Sequence, residues 1–146
     1  MKSYSKVCVD ANLVVRLQDP NKLEHSRTLE LWDVWLGQGV ELIAPFLLRY
    51  EVTNAVYRSV RFGDMDDALG VAIINALEYL PINYIDTNAM HREAYEFAKR
   101  YDARTSYDGH YVALARQENA LLVTADKKLV NVAKHHHPFV QYVLDE

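Results

Sequence analysis

With 146 residues, half of them hydrophobic, the chain is long enough to bury a core as one domain over residues 1–146, without disulfides or a structural metal. Its 16 basic and 20 acidic side chains leave a net charge of -4, which argues against a protein that grips nucleic acid through a broad basic face. Any phosphate contact must then be local or metal-mediated.

The N-terminal "MKSYSK" lacks a signal-peptide core and leads into "KVCVDAN", a short apolar run that reads as a buried strand ending in a loop. Its Cys8 is the only cysteine, so no intrachain disulfide forms, and a buried thiol in a reducing, cytoplasmic compartment is expected. "LEHSRTLELWDVWLGQG" places Leu29, Trp32, Trp35 and Leu36 at helical spacing before Gly37 and Gly39. "VELIAP" is a brief strand closed by Pro45, and a helix is expected from Phe46 to Phe62. "DMDDALGVAIINALEYL" reads as a helix with an acidic start suited to the helix dipole. "INYID" is a third strand, and "TNAMHREAYEFAKRY" a helix capped by Thr. "TSYDGHYVALARQEN" is a helix capped by Thr105 or Ser106; a strand, "ALLVTAD", a short helix, "KKLVNVAKH", and a last strand, "FVQYVL", follow. No apolar run approaches the roughly 18 residues of a membrane span. Strands that alternate with helices predict an α/β domain with a mainly parallel sheet covered on both faces.

In such a sheet the loops at the C-terminal ends of the strands line one edge, where ligands bind. Asp10 ends the first strand and Asp126 follows "ALLVT", so the two converge if those strands are neighbours. Asp108 sits in the first turn of the preceding helix, near its positive pole. Glu51 lies four residues after Leu47 and four before Ala55, so it shares a stripe with apolar residues and needs a partner. Each acid also has a plain structural alternative: Asp10 or Asp126 as a helix cap, Asp108 as a complement to its helix dipole, Glu51 paired with Arg58 or Arg49. Four carboxylates in one crevice would repel one another unless a cation compensates them. Oxygen-only ligands without a Cys-His cluster suit Mg2+ or Mn2+, and such a site favours metal-assisted hydrolysis of a phosphodiester.

"VCVDANLVVRL", "APFLLRYEVTNAVYR" and "SYDGHYVALARQENALLVTADKKL" together resemble the PIN-domain ribonucleases, especially the VapC-type toxins of toxin-antitoxin pairs. The resemblance spans nearly the whole chain, and the "YD...ALA" and "LLVTAD" blocks are its most specific part. It implies that Asp10, Glu51, Asp108 and Asp126 hold Mg2+ or Mn2+ and carry catalysis, with Asn12 and Thr124 supporting them from behind. It also implies a central parallel five-stranded sheet, a homodimer, RNA as substrate and an antitoxin that covers the site. One departure is Gly109, where the family more often has alanine; glycine there is expected to loosen the first helical turn without removing a ligand.

Arg16, Arg49, Arg58, Arg61, Arg104, Lys127 and Lys128 are candidates for RNA phosphate contacts, although charged residues at helix ends are usually solvated surface. "HHHPF" lacks helical i, i+4 metal spacing and reads as surface histidines. For Tyr50, Tyr57, Tyr107, Tyr111, Trp32 and Trp35, core packing accounts for most, and an exposed remainder would favour an interface. Two other functions compete with a ribonuclease. One is a PIN-like module that binds RNA or protein without catalysis. The other is a phosphatase or phosphoacceptor with Asp10 as nucleophile, which would need neither Glu51 nor Asp108 and would show a second aspartate where "DAN" has none.

Overall fold

The structure is a computed structural model that describes residues 4–145. Five strands, β1 (Lys6–Val9), β2 (Glu41–Ala44), β3 (Ile82–Tyr84), β4 (Leu121–Thr124) and β5 (Val140–Tyr142), form one sheet in the order β3-β2-β1-β4-β5. Every neighbouring pair is parallel. Among the described residues seven α-helices connect and cover the strands: α1 (Ala11–Gln18), α2 (His25–Gly37), α3 (Leu47–Arg61), α4 (Asp67–Ala76), α5 (Asn88–Arg100), α6 (Tyr107–Gln117) and α7 (Lys127–Ala133). Parallel strands require such crossovers, and a sheet covered on both faces buries its central strands, as in Leu121–Thr124, where all four residues are buried.

The order places β1 in the centre. The chain builds outward from it through β2 to β3, then crosses back to add β4 and β5 on the other side. The connections after β1 and β4 therefore diverge, which opens a crevice at their C-terminal ends. Because Val9 pairs with Val123, Asp10, the residue after β1, lies beside Thr124, the last residue of β4. The neighbouring strands that would bring Asp10 and Asp126 together are thus present.

Three local readings change. The segment after β1 is a helix, α1, where a loop was expected: Asp10 adopts an extended N-cap conformation, its carboxylate accepts from the Leu13 amide at 2.8 Å, and Leu13, Val14 and Leu17 bury one face. The helix expected through Leu80 stops at Ala76, and Leu77–Tyr79 form a 3-10 turn. Pro81 disfavours helical backbone at Leu80, which is extended. Ser106 occupies the cap position of α6, but its hydroxyl caps nothing, and its carbonyl accepts from or faces His110 Nδ1 at 2.8 Å. Thr87 does cap α5, through the Met90 amide.

Gly109 has a packing reason. A β-carbon there would come within 2.7 Å of the Ala94 carbonyl oxygen and 3.0 Å of its Cα, so glycine is what lets α6 lie against α5. It tightens this helix pair where a looser first turn was expected. Trp32 and Trp35 are core residues, with ring centroids 6.4 Å apart. Cys8 is fully buried, and burial pushes its thiol well up. Among the described residues no helix is long and apolar enough to cross a membrane.

Candidate active site

Asp10 is the best-buried acid of the crevice. Its Oδ1 caps α1 and its Oδ2 accepts from the Thr124 hydroxyl. The same Thr124 oxygen accepts from the Asp126 amide at 2.9 Å, so one buried side chain fixes both the acid after β1 and the acid after β4. Asp126 in turn caps α7, accepting from the Lys128 amide at 2.9 Å. The capping readings of Asp10 and Asp126 are therefore correct as local structure, and they leave one carboxylate oxygen of each free of a cap bond.

Glu51 is half-buried on α3, and its Oε1 accepts from the Tyr111 hydroxyl on α6 at 2.7 Å. Neither expected arginine pairs with it: Arg49 lies over the Tyr84 ring, 5.8 Å from its centroid, and Arg58 lines the crevice. Tyr111 was legible only as a core aromatic. The signal that points to it is its position three residues after Asp108, on the same face of α6.

Asp10, Asn12, Glu51 and Asp108 line one cavity of about 190 Å³, together with Tyr111 and Arg58. Asp126 stands beside that cavity, close enough for its charge to act on both Asp10 and Asp108. Burial raises Asp10 to about 7; the bonds from Thr124 and Leu13 oppose the rise, and the charges of Asp108 and Asp126 add to it. Asp108 keeps part of its surface in water, yet desolvation, then Asp126, then Glu51 lift it to about 6. Glu51 is raised by burial, against the Tyr111 bond and the nearby His110. Such concentrated and mutually repelling negative charge fits a hard cation held by oxygen donors. Among the described residues no three His, Cys, Asp or Glu side chains are drawn tightly enough to grip one ion.

The basic candidates scatter. Arg16 is held by the buried Glu24 at 3.2 Å, and Lys127 is exposed and lies over the Tyr142 ring. Arg61 lies over Phe62. Of the histidine run, His135 and His136 are exposed as expected, while His137 is partly buried in an aromatic cluster with Phe97, Tyr101 and Phe139.

Residues 7–135 match the family model of the PIN domain. This chain belongs to the PIN-domain family. The PIN fold is shared with solved structures of low sequence identity. A crystallised protein of Pyrobaculum aerophilum is 20% identical with a TM-score of 0.68, covering 94% of this chain and 89% of its own. VapC20 of Mycobacterium tuberculosis, a sarcin-ricin loop cleaving toxin, is 15% identical with a TM-score of 0.64, covering 86% and 93%. VapBC2 of Rickettsia felis, crystallised with a promoter DNA fragment, is 15% identical with a TM-score of 0.62, covering 94% and 96%. No functionally curated protein matches the chain in sequence.

Proposed function

We propose that this PIN domain is an endoribonuclease dependent on Mg2+ or Mn2+, and that it is the toxin of a toxin-antitoxin pair. The observation that carries the reading is the convergence of Asp10, Glu51, Asp108 and Asp126 on the crevice beside β1 and β4, with Thr124 and Tyr111 as dedicated hydrogen-bond donors behind them. A phosphatase with Asp10 as nucleophile would give Glu51 and Asp108 no purpose there. VapC20, a sarcin-ricin loop cleaving toxin, and VapBC2, crystallised on promoter DNA, support the toxin assignment and an antitoxin partner; a homodimer and a cytoplasmic site of action belong to the same proposal.

The four carboxylates would hold the ion, with Asn12 at the crevice wall as a polar neighbour. A bound divalent ion supplies acidification of a water and charge compensation at the scissile phosphate. Tyr111 keeps one oxygen of Glu51 engaged and leaves the other for binding. Thr124 aligns Asp10 with Asp126. Asp108 is the acid of the crevice that keeps solvent access, so its carboxylate is open to an ion or a water entering from outside.

The test is cleavage of a mixed set of structured and single-stranded RNAs by protein free of antitoxin, with Mg2+, Mn2+ or EDTA, beside Asp10→Asn. Cutting that both EDTA and the substitution abolish is the expected result. The open spacing of the acids is what favours a second reading, a non-catalytic PIN-like module binding RNA or protein. Absence of cutting together with absence of metal binding by calorimetry would favour that reading over the ribonuclease.

A further inference from the structure

A second cavity adjoins the acid crevice, and the two share α3 and α6 as walls. It measures about 400 Å³ against about 190 Å³ for the crevice. Small-ligand pockets fall between about 300 and 1,000 Å³. His110 of this cavity lies near enough to Glu51 of the crevice for its charge to act on it, and Tyr50 and Tyr107 directly precede Glu51 and Asp108 on the two shared helices.

Three rings of its lining remain in water: Tyr50 is 74% exposed, Tyr107 50% and Phe46 47%. Phe46 is held in place by stacking on Tyr84, at 5.6 Å and 17°. The polar part of the lining is a chain of contacts: Asp86 Oδ1 to His91 Nε2 at 2.7 Å, His91 Nδ1 to His110 Nε2 at 3.0 Å, and His110 Nδ1 to the Ser106 carbonyl at 2.8 Å. Both imidazole planes are fixed by these bonds.

We propose that this cavity is a nucleobase subsite, seating one unstacked base of single-stranded RNA beside the bond to be cut, a role that rests on the ribonuclease reading of the neighbouring crevice. A base presents an apolar face to Tyr50, Tyr107 and Phe46 and an amino or ring N–H on its edge to the Asp86 carboxylate that ends the imidazole chain, matching both parts of the lining. A phosphate would meet the Asp86 carboxylate and make no use of the rings. An aliphatic side chain of a protein partner would strip water from the Asp86 carboxylate without replacing its hydrogen bonds. Sequence preference at one nucleotide near the cut is then set here, away from the acids.

The experiment uses the full chain in EDTA, where no cutting occurs, and a short labelled single-stranded RNA in which each position is replaced in turn by an abasic nucleotide. Binding is read by fluorescence anisotropy. One position is expected to lose about tenfold in affinity without its base, as for loss of one base–aromatic stack. Tyr50→Ala and Tyr107→Ala each weaken binding of the intact RNA about tenfold and erase the sensitivity at that position, whereas Tyr50→Phe and Tyr107→Phe stay within about twofold. Alanine variants with unchanged far-UV circular dichroism that bind like the parent protein overturn the subsite, as does a parent protein indifferent to base removal at every position. Alanine variants that keep RNA but lose a copurifying protein overturn it in favour of a protein contact. Cleavage with Mn2+ separates the two readings. Cutting by the parent protein with KM unchanged in the alanine variants removes the subsite alone, and base-dependent binding without any cutting removes the ribonuclease alone.

Discussion

The Tyr111 hydroxyl donates to Glu51 Oε1 at 2.7 Å, joining α6 to α3 across the floor of the acid crevice. Burial and the Glu51 charge raise the phenol's proton affinity, so the donor stays protonated throughout the physiological range. Tyr111→Phe removes one oxygen and leaves the ring's packing. Glu51 then loses the bond that favours its charged form, and its carboxyl rises further. Losing a hydrogen-bond partner behind a metal ligand costs about 10- to 100-fold. Mn2+ affinity by calorimetry and the RNA cleavage rate should fall together by that factor, with the thermal transition little changed.

Thr124 offers a sharper case, because one hydroxyl serves two acids. It donates to Asp10 and accepts from the Asp126 amide, and it is fully buried. Thr124→Val keeps the shape and deletes both bonds, at a cost of about 1–3 kcal/mol for buried groups left unsatisfied. Chemical denaturation should show that loss, and cleavage should fall about 10- to 100-fold. Thr124→Ser, which retains the hydroxyl, should restore most of the activity.

How far the sequence carried depends on what each residue interacts with. The strands, their parallel arrangement and the edge bearing Asp10 and Asp126 follow from apolar runs alternating with helical periodicity, because both patterns are local. Asp108 and Glu51 were legible from helical position. What brings them to one cavity is a pairing between α3 and α6, separated by 60 residues at the Tyr111–Glu51 bond, and no local spacing encodes it. The helix α1 was hidden because "DAN" carries turn-forming residues, and only burial of Leu13, Val14 and Leu17 reveals that Asp10 ends a strand and caps a helix at once. The exposed state of Tyr50, Tyr57 and Tyr107 was equally unreadable, since an aromatic residue at helical spacing reads as core whether or not a neighbour covers it.

Gly109 lies beside Asp108 but acts on packing. Gly109→Ala improves intrinsic helix propensity by about 1 kcal/mol. The added β-carbon meets backbone of Ala94, which cannot move as a side chain would. Overpacking of this kind costs about 1–3 kcal/mol. The prediction is a net lower melting temperature for the variant, by differential scanning calorimetry, despite a residue with greater helix preference. A rise would mean that α5 and α6 separate easily and that the close approach carries no weight.

Asp10 links stability, metal and pH through one carboxyl. Its folded value of about 7 stands above the ordinary 3.8, so between those two values the folded chain binds more protons than the unfolded one. Stability from this group is therefore full below about pH 4 and is lost as pH rises through about 7. Asp10→Asn keeps a side chain able to cap α1 and carries no charge. In EDTA the variant should equal the parent protein near pH 4 and exceed it at pH 8, by about 2–4 kcal/mol, in urea denaturation. Metal closes most of that gap. A cation competes with the proton on Asp10 and Asp108, so apparent Mn2+ affinity should rise with pH through about 6 to 7, with protons released on binding. At a metal concentration of 100 times Kd the parent protein gains about 2.7 kcal/mol, and the variant gains little. If the parent's thermal transition does not move on adding Mn2+ at pH 8, these carboxylates do not bind the ion.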